Sequence, residues 1–329
     1  MAPKLIVIVG ITGNQGASVA DAFVDDPEWK IRGISRDPEK ASSKVWSDKG
    51  VEMVAADLND VESLKVAFKG ANVIYGITDF WAAASDPAIY ARAEQEGVLV
   101  NKLLYETEMQ LGRNVVDAAA STVDTLDLFV WSTLSQTSKW SNGTITDNFH
   151  FEAKQGGMQQ LQKYPELLKN TSFMMVGMFM TNWKTGEFMQ PHKKDDGTWY
   201  FRLPMRPESK LPFVNPRWDV GGCVKALTQV PPGKTLLGVA EWATGKDYAE
   251  EWGKANGVTC TYEQGTYEEV DAAMPGGIGH ELAEMFRFFD TFGYTGGDPD
   301  VIEPKDLPVK VHTTPLAEYM EREDWSQFL

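Results

Sequence analysis

Cysteine is nearly absent: Cys223 and Cys260 are the only two in 329 residues. That excludes a disulfide framework and a cysteine-rich zinc site, and the pair reads as reduced intracellular thiols. Histidine is also sparse, four in all. His192 and His280 lack metal-ligand spacing to carboxylates or cysteines, so no metal is assigned. Basic charge is in deficit, with 31 Lys and Arg against 47 Asp and Glu, a net charge of −16. Such a surface repels nucleic-acid phosphates and anionic headgroups, so neither direct nucleic-acid binding nor membrane association is expected. A local basic pocket for one cofactor remains compatible with it. No apolar run reaches membrane-spanning length, and Met1 to Lys4 leads straight into an apolar run with no room for a presequence. A cytoplasmic protein is expected, with the nucleus also open to it. No internal repeat or low-complexity tract is present.

What the chain does have is a run from Leu5 to Ala20 in which five apolar residues, Leu5 to Val9, turn through Gly10, Gly13 and Gly16 into a helix. That is the architecture of a dinucleotide phosphate site. Gly10 lets the chain leave the strand tightly, Gly13 removes a side chain where backbone approaches a pyrophosphate, and Gly16 lets the helix pack close. The helix N-terminus then faces the anion.

The next strand, Ile31 to Ser35, selects the cofactor. Arg36 follows it where an acidic residue would hold the ribose 2′-hydroxyl of NAD. A guanidinium instead suits a 2′-phosphate, which it binds through a bidentate fork, and Lys40 adds a second charge one turn on. The expected cofactor is NADP(H). The alternative is that Arg36 and Lys40 are solvated surface charges. Asp37-Pro38 predicts a helix cap followed by a first-turn proline.

Short apolar runs continue to alternate with helical patterns. Strands are predicted at Val51 to Ala55, Val73 to Ile77, Leu128 to Trp131 and Phe173 to Val176. Helices are predicted at Ser18 to Phe23, Val61 to Phe68, Glu108 to Ala120 and about Glu152 to Lys163. Crossovers of this kind require parallel pairing and right-handed connections, hence an α/β fold with a Rossmann-type doubly wound parallel sheet. The rhythm changes after Asn182, with a polar turn at Lys193 to Gly197, a strand at Trp199 to Leu203, and prolines at 204, 207, 212 and 216. The expected organisation is an NADP(H)-binding domain over 1–182 and a smaller C-terminal α+β lobe over 183–329, with the chain free to cross back. Trp218, Trp242, Trp252, Met274, Met285, Phe286, Phe288 and Phe289 supply either a substrate lining or core packing. Beyond about Pro299, turn chemistry and charge leave the order of the chain open.

Several segments in order resemble the NmrA-like branch of the atypical short-chain dehydrogenase/reductases: Val9 to Gly16, Ser35 to Pro38, Ala56 to Leu58, Gly112 to Ala118, His150 to Lys154, Met178 to Asn182 and Trp218 to Gly221. The His150-Phe151-Glu152-Ala153-Lys154 stretch is similar to the redox-sensing members of that family. The resemblance implies that Gly10, Thr12, Gly13, Asn14, Gln15 and Gly16 contact the pyrophosphate, and Arg36 and Lys40 the 2′-phosphate. It puts Asp57 and Leu58 at the adenine and Thr78 and Phe80 near ribose and nicotinamide. Lys154 falls on the nicotinamide ribose, and Met178, Phe179 and Met180 beside the nicotinamide. Where the family commonly has proline before that last segment, this chain has Gly177.

A second departure concerns the proton donor. Standard members of the wider superfamily use Tyr-x-x-x-Lys, the lysine lowering the tyrosine pKa; here the tyrosine position is His150. Either His150 is the acid/base with Lys154 holding ribose, or no acid/base exists and the lysine only binds cofactor, or His150 merely packs. Ser132, after the fifth strand, either polarises a substrate oxygen or satisfies backbone at a strand end. Two functions follow. One is an NADPH-dependent oxidoreductase acting on a small carbonyl-, quinone- or imine-type substrate, with Lys154, His150 and Ser132 as candidate catalytic groups. The other is a non-catalytic NADPH/NADP redox sensor that regulates a protein partner such as a transcription factor.

Overall fold

The computed structural model describes residues 2–186 and 189–329. Six strands alternate with helices through its first half: β1 (Lys4–Ile8), β2 (Trp29–Ser35), β3 (Glu52–Ala55), β4 (Val73–Gly76), β5 (Leu128–Thr133) and β6 (Thr171–Val176). After them come β7 (Met178–Phe179), β8 (His192–Lys193), β9 (Trp199–Leu203), β10 (Lys210–Val214), β11 (Thr235–Gly238), β12 (Glu241–Thr244), β13 (Cys260–Gln264) and β14 (Val301–Ile302). Eight of these form one sheet in the order β14-β11-β6-β5-β4-β1-β2-β3, every neighbouring pair parallel. The chain winds outward from β1 in both directions. The crevice of an open parallel sheet lies at such a reversal, beyond the C-terminal strand ends.

The strand sequences explain why both faces are covered. Successive side chains point to opposite faces, and here both sets are apolar, as buried parallel strands require. Ile6, Ile8, Tyr75, Leu128 and Val130 pack under the helices Asn14–Phe23 and Val220–Leu227. Val7, Val9, Ile74, Phe129 and Trp131 pack on the other face under Val61–Phe68, Val100–Ala120 and Gln155–Leu161. The helix expected from Glu108 is therefore the second half of a longer one. The helix expected from Glu152 to Lys163 is interrupted, a short turn Phe149–Glu152 preceding Gln155–Leu161.

The remaining strands make a smaller α+β lobe. Its sheets are β12-β10-β7 and β13-β9-β8, each mixing parallel and antiparallel pairs. Residue 182 does not end the contribution to the large sheet, because β11, β14 and the helix Val220–Leu227 return to it. Trp252, Met285, Phe286, Phe288 and Phe289 are buried in the core of the smaller lobe, and Trp242 and Met274 pack against it. Of the proposed apolar lining, those residues are packing. Trp218 lies at the surface beneath the Arg322 guanidinium, 4.0 Å from the ring centre. The chain past Pro299 is ordered: β14 pairs with β11, and Tyr319, Met320 and Trp325 enter the same aromatic core. Among the described residues no helix is long and apolar enough to cross a membrane.

The segment Trp218 to Gly221 joins the two parts. The Asp219 carboxylate accepts the Asn215 N–H at 2.8 Å, the Thr314 N–H at 2.9 Å and the Thr314 hydroxyl at 2.7 Å. Burial nevertheless holds its carboxyl above the ordinary range. Gly221 donates its N–H to Ser18 Oγ at 2.9 Å, and a Cβ there would collide with the Ser18 carbonyl. Gly221→Ala is therefore expected to force the two helices apart and cost about 1–3 kcal/mol. Urea unfolding of the variant measures this; an unchanged midpoint would mean that the helices have room to shift.

Candidate functional site

The crevice beside β1 and β4 is built around the glycine turn. Gly10 has φ +68°, a left-handed conformation that side chains with a Cβ disfavour. Its carbonyl accepts the Gly13 N–H at 2.9 Å and closes the turn. Gly16 lies directly on that carbonyl, and a Cβ there would overlap it and the Ile11 nitrogen. Gly13 caps the helix without a side-chain hydrogen bond, no acid sits in the first turn, and Gly13 and Asn14 are exposed. First-turn N–H groups have no intrahelical acceptor, so this end presents donors and partial positive charge to an anion. The Gln15 side chain turns inward instead, its carbonyl accepting the Tyr75 hydroxyl at 2.7 Å and the Ser132 hydroxyl at 3.1 Å. Burial raises the Tyr75 pKa above its ordinary value, so the phenol stays a donor that props the loop.

At the end of β2, Arg36 and Lys40 are exposed and form no ion pair among the described residues. The turn carrying them is tied down by Ser43 Oγ, which donates to the Asp37 carbonyl at 2.8 Å. Asp37 does not cap a helix at Pro38. Its carboxylate accepts the Glu39 N–H at 2.9 Å, and the helix starts later, at Ala41–Ser47 with Lys40 at its cap. Local Asx-turn bonding wins over the capping pattern. Asp57 is similarly self-contained, accepting the Asn59 N–H at 2.9 Å, while the Leu58 carbonyl takes the Asn114 amide at 2.9 Å. Both stand at the end of β3. Thr12 lies within the turn, half-buried.

The charged groups beyond β4 and β5 form two buried pairs. Lys154 Nζ lies 2.5 Å from Glu108 Oε1, 2.6 Å from the Thr78 carbonyl and 3.2 Å from its hydroxyl. The Thr78 hydroxyl donates to the same Glu108 oxygen at 2.7 Å. The Lys154 and Glu108 side chains are 9% and 2% exposed, so the bridge is shielded from water. Four residues earlier, His150 offers its backbone N–H and its ring Nδ1 to Glu281 Oε1, each at 2.7 Å. Between them, Glu152 accepts from the Thr137 hydroxyl at 2.9 Å and the Ser138 N–H at 2.6 Å, anchoring the loop after β5. Phe80 is buried with its ring centre 5.9 Å from that of His150; half-exposed Trp81 stands 5.3 Å away. Glu108 Oε2, Glu281 Oε2 and both polar atoms of the Asn148 side chain are buried without a partner. Buried polar atoms are nearly always satisfied. Four of the seven such atoms among the described residues lie on Glu108, Glu281 and Asn148, around the two buried pairs; the others are Asn101 Oδ1, Trp131 Nε1 and Trp252 Nε1.

Glu108 and Glu281 were not anticipated from the sequence, yet each interrupts an apolar helical stripe. Glu108 stands between Leu104 and Gly112, Glu281 before Met285 and Phe288, all buried. A carboxylate at a core position is the signal, shared in the second helix by buried Glu284. Ser132 joins the glycine loop through Gln15 rather than meeting Lys154 or His150. Its strand position explains this: it shares the pleat of Leu128 and Val130, which faces the helix Asn14–Phe23. Met178 and Met180 enter the core of the smaller lobe, and Phe179 packs on the other side. Gly177 is forced by its surroundings. Its N–H donates to the Gly238 carbonyl at 3.0 Å, a bond proline cannot make, and a Cβ would strike the Pro212 carbonyl. No cluster of three or more His, Cys, Asp or Glu side chains placed to hold a metal occurs among the described residues.

Known proteins share this fold. The model of the NmrA-like family matches residues 2–326. The NmrA-like family domain-containing oxidoreductase FrzB of a Cladobotryum species is 24% identical, over 95% of this chain and 92% of its own. Among solved structures, that of NmrA, a negative transcriptional regulator in complex with NADP, superposes with a TM-score of 0.69 at 16% identity, covering 98% of this chain and 95% of that one. The NADPH-dependent quinone oxidoreductase QOR2 of Escherichia coli, complexed with NADPH, gives a TM-score of 0.66 at 18% identity over 96% and 98%. The fold thus serves both a regulator and a reductase.

The buried Lys154 bridge makes a stability prediction. Glu108→Ala leaves an ammonium in a dry site and is expected to cost about 3–5 kcal/mol, much of it recovered by Glu108→Leu combined with Lys154→Met. Denaturant unfolding of the three proteins checks it. A loss for Glu108→Ala below about 1 kcal/mol, as for a solvated pair, would contradict it.

Proposed function

Since the chain belongs to the NmrA-like family, we propose that it is an NADPH-dependent oxidoreductase reducing a small carbonyl-, quinone- or imine-type substrate. The observation that carries this reading is the pair of buried contacts between a basic side chain and a carboxylate, Lys154 with Glu108 and His150 with Glu281. Desolvating such groups costs several kcal/mol per ion, and ionisable groups held in that way beside a ligand cleft are candidates for proton handling. A nucleotide sensor needs only a surface that changes with cofactor occupancy.

In this reading the first-turn backbone from Gly13 to Gly16 holds the pyrophosphate, and Gly10 shapes the approach with Thr12 and Asn14 alongside. Arg36 and Lys40, both unpaired, take the 2′-phosphate, and the loop at Asp57 and Leu58 borders the adenine. Thr78 and Phe80 border the ribose and nicotinamide, with Lys154 held beside them by Glu108. The Met178 to Met180 segment backs this end of the cleft. When bound, the reduced nicotinamide supplies hydride to the substrate carbon. Lys154 orients ribose hydroxyls, His150 supplies the proton to the substrate heteroatom, and Phe80 and Trp81 keep water from the ring. Ser132 supports the glycine loop through Gln15.

The likeness to NmrA favours a second reading, a non-catalytic NADPH/NADP sensor acting on a protein partner. Turnover separates the two. Oxidation of NADPH, followed by its absorbance with quinones, imines and aromatic ketones, is expected for at least one acceptor class. Tight binding with no turnover across the panel would overturn the reductase reading and favour the sensor. For the cofactor, calorimetry is expected to give NADPH the advantage over NADH, each charge-assisted bond contributing about 1.5–3 kcal/mol. Arg36→Ala should remove most of that advantage; equal affinities in the unsubstituted protein would remove the assignment.

A further inference from the structure

We propose that Glu281 is a positioning residue that fixes the His150 imidazole for proton transfer, an inference that rests on the reductase reading for its chemical step. The Glu281 side chain is 0% exposed. Its Oε1 lies 2.7 Å from His150 Nδ1; an ionised carboxylate only accepts hydrogen bonds, so with Glu281 ionised this contact puts a proton on Nδ1. The same oxygen also accepts the His150 backbone N–H at 2.7 Å. Two bonds from one residue to one oxygen fix the position of the ring and its tilt. Nε2 is then the ring nitrogen left for a ligand, as it has no partner among the described residues.

The surroundings hold the ring without consuming that nitrogen. Phe151 meets the imidazole edge-on at 4.9 Å, Phe80 stands at 5.9 Å, and Trp81, 40% exposed, is at 5.3 Å on the side nearer solvent. The nearby cation, Lys154, is already bridged to Glu108. Glu281 belongs to the helix Ile278–Phe292, 131 residues further along the chain, whose buried face is otherwise largely apolar. An apolar residue there would pack at lower cost than a desolvated carboxylate. What the carboxylate adds is a defined ring orientation and tautomer, as in other carboxylate-oriented imidazoles.

The step balances as follows. The substrate carbonyl or imine carbon gains hydride from the reduced nicotinamide, and its oxygen or nitrogen takes the proton from His150 Nε2. The donor is the ring protonated at both nitrogens; losing the Nε2 proton leaves it neutral with Nδ1–H still on Glu281, and hydronium from bulk solvent re-protonates Nε2 after product leaves.

Two measurements on the full chain test this. In two-bond nitrogen–proton spectra of protein labelled at its four histidines, with His150→Phe identifying the signal, Nδ1 of His150 is expected to be protonated. A ring protonated at Nε2 alone would overturn the proposal, and this needs neither cofactor nor turnover. In kinetics, Glu281→Gln is expected to lower kcat by about 10²-fold, with substrate KM and NADPH affinity unchanged. A folded Glu281→Gln protein with wild-type kcat would also overturn it. If that variant does not fold, the spectrum of the unsubstituted protein decides. Wild-type protein that turns over no acceptor yet shows the protonated Nδ1 would defeat the reductase reading while supporting the orientation assigned to Glu281.

Discussion

The closeness of one helix to its neighbours sets the rest of the structure. Asn14–Phe23 rests on the Gly10 carbonyl through Gly16 and receives Gly221 against the Ser18 carbonyl. Neither contact leaves room for a methyl group. The first aims the helix end at the crevice beyond β1; the second brings in the helix Val220–Leu227 and, through Asp219 and Thr314, the distal chain. Dense packing transmits such constraints because interiors have few voids into which strain can relax. The exposed helix end, the two-sided sheet and the docking of the smaller lobe are therefore consequences of backbone-to-backbone approach at positions that tolerate only glycine.

The same economy governs charge. The chain carries a net charge of −16, yet Arg36 and Lys40 stand exposed at the end of β2 without an ion pair among the described residues. Deeper in, Lys154 and His150 each meet a carboxylate from a different helix. Burial makes these pairs expensive to break rather than highly stabilising to possess. Their value lies in fixing where protons sit. In the proposed reading, exposed basic groups outside and buried pairs inside would separate binding of a phosphate-bearing molecule from proton chemistry near its reactive end.

What was legible in the sequence was whatever is encoded locally. The glycine spacing, the apolar strand runs and the crossover helices follow from short-range sterics and periodicity, and the parallel sheet follows from them. Misjudged points have tertiary causes. Asp37-Pro38 looks like a helix start, but the Asp37 carboxylate bonds within its own turn. Ser132 sits at the right place in the chain, yet strand alternation turns it toward Gln15. For the aromatic and methionine residues from Trp242 to Phe289 the sequence left lining and packing open, and the structure makes them packing, because a second lobe of this size must bury its own sheets. Glu281 reaches His150 from 131 residues away, and no local pattern reports that distance, although a carboxylate in an apolar stripe marks both it and Glu108 as unusual.

The return of β11 and β14 to the large sheet bears on how the molecule is made. β6 is complete at Val176, but the neighbour that covers its outer edge, β11, begins at Thr235, and β14 arrives only at Val301. As the chain leaves the ribosome, an apolar strand edge stays open while some sixty further residues are synthesised, at about 5–20 residues per second. Unpaired edges of this kind recruit other chains, and pairing across long sequence separations is slow. The large sheet thus matures last at its outer margin, and that open interval is where synthesis rate and chaperone access act on its assembly.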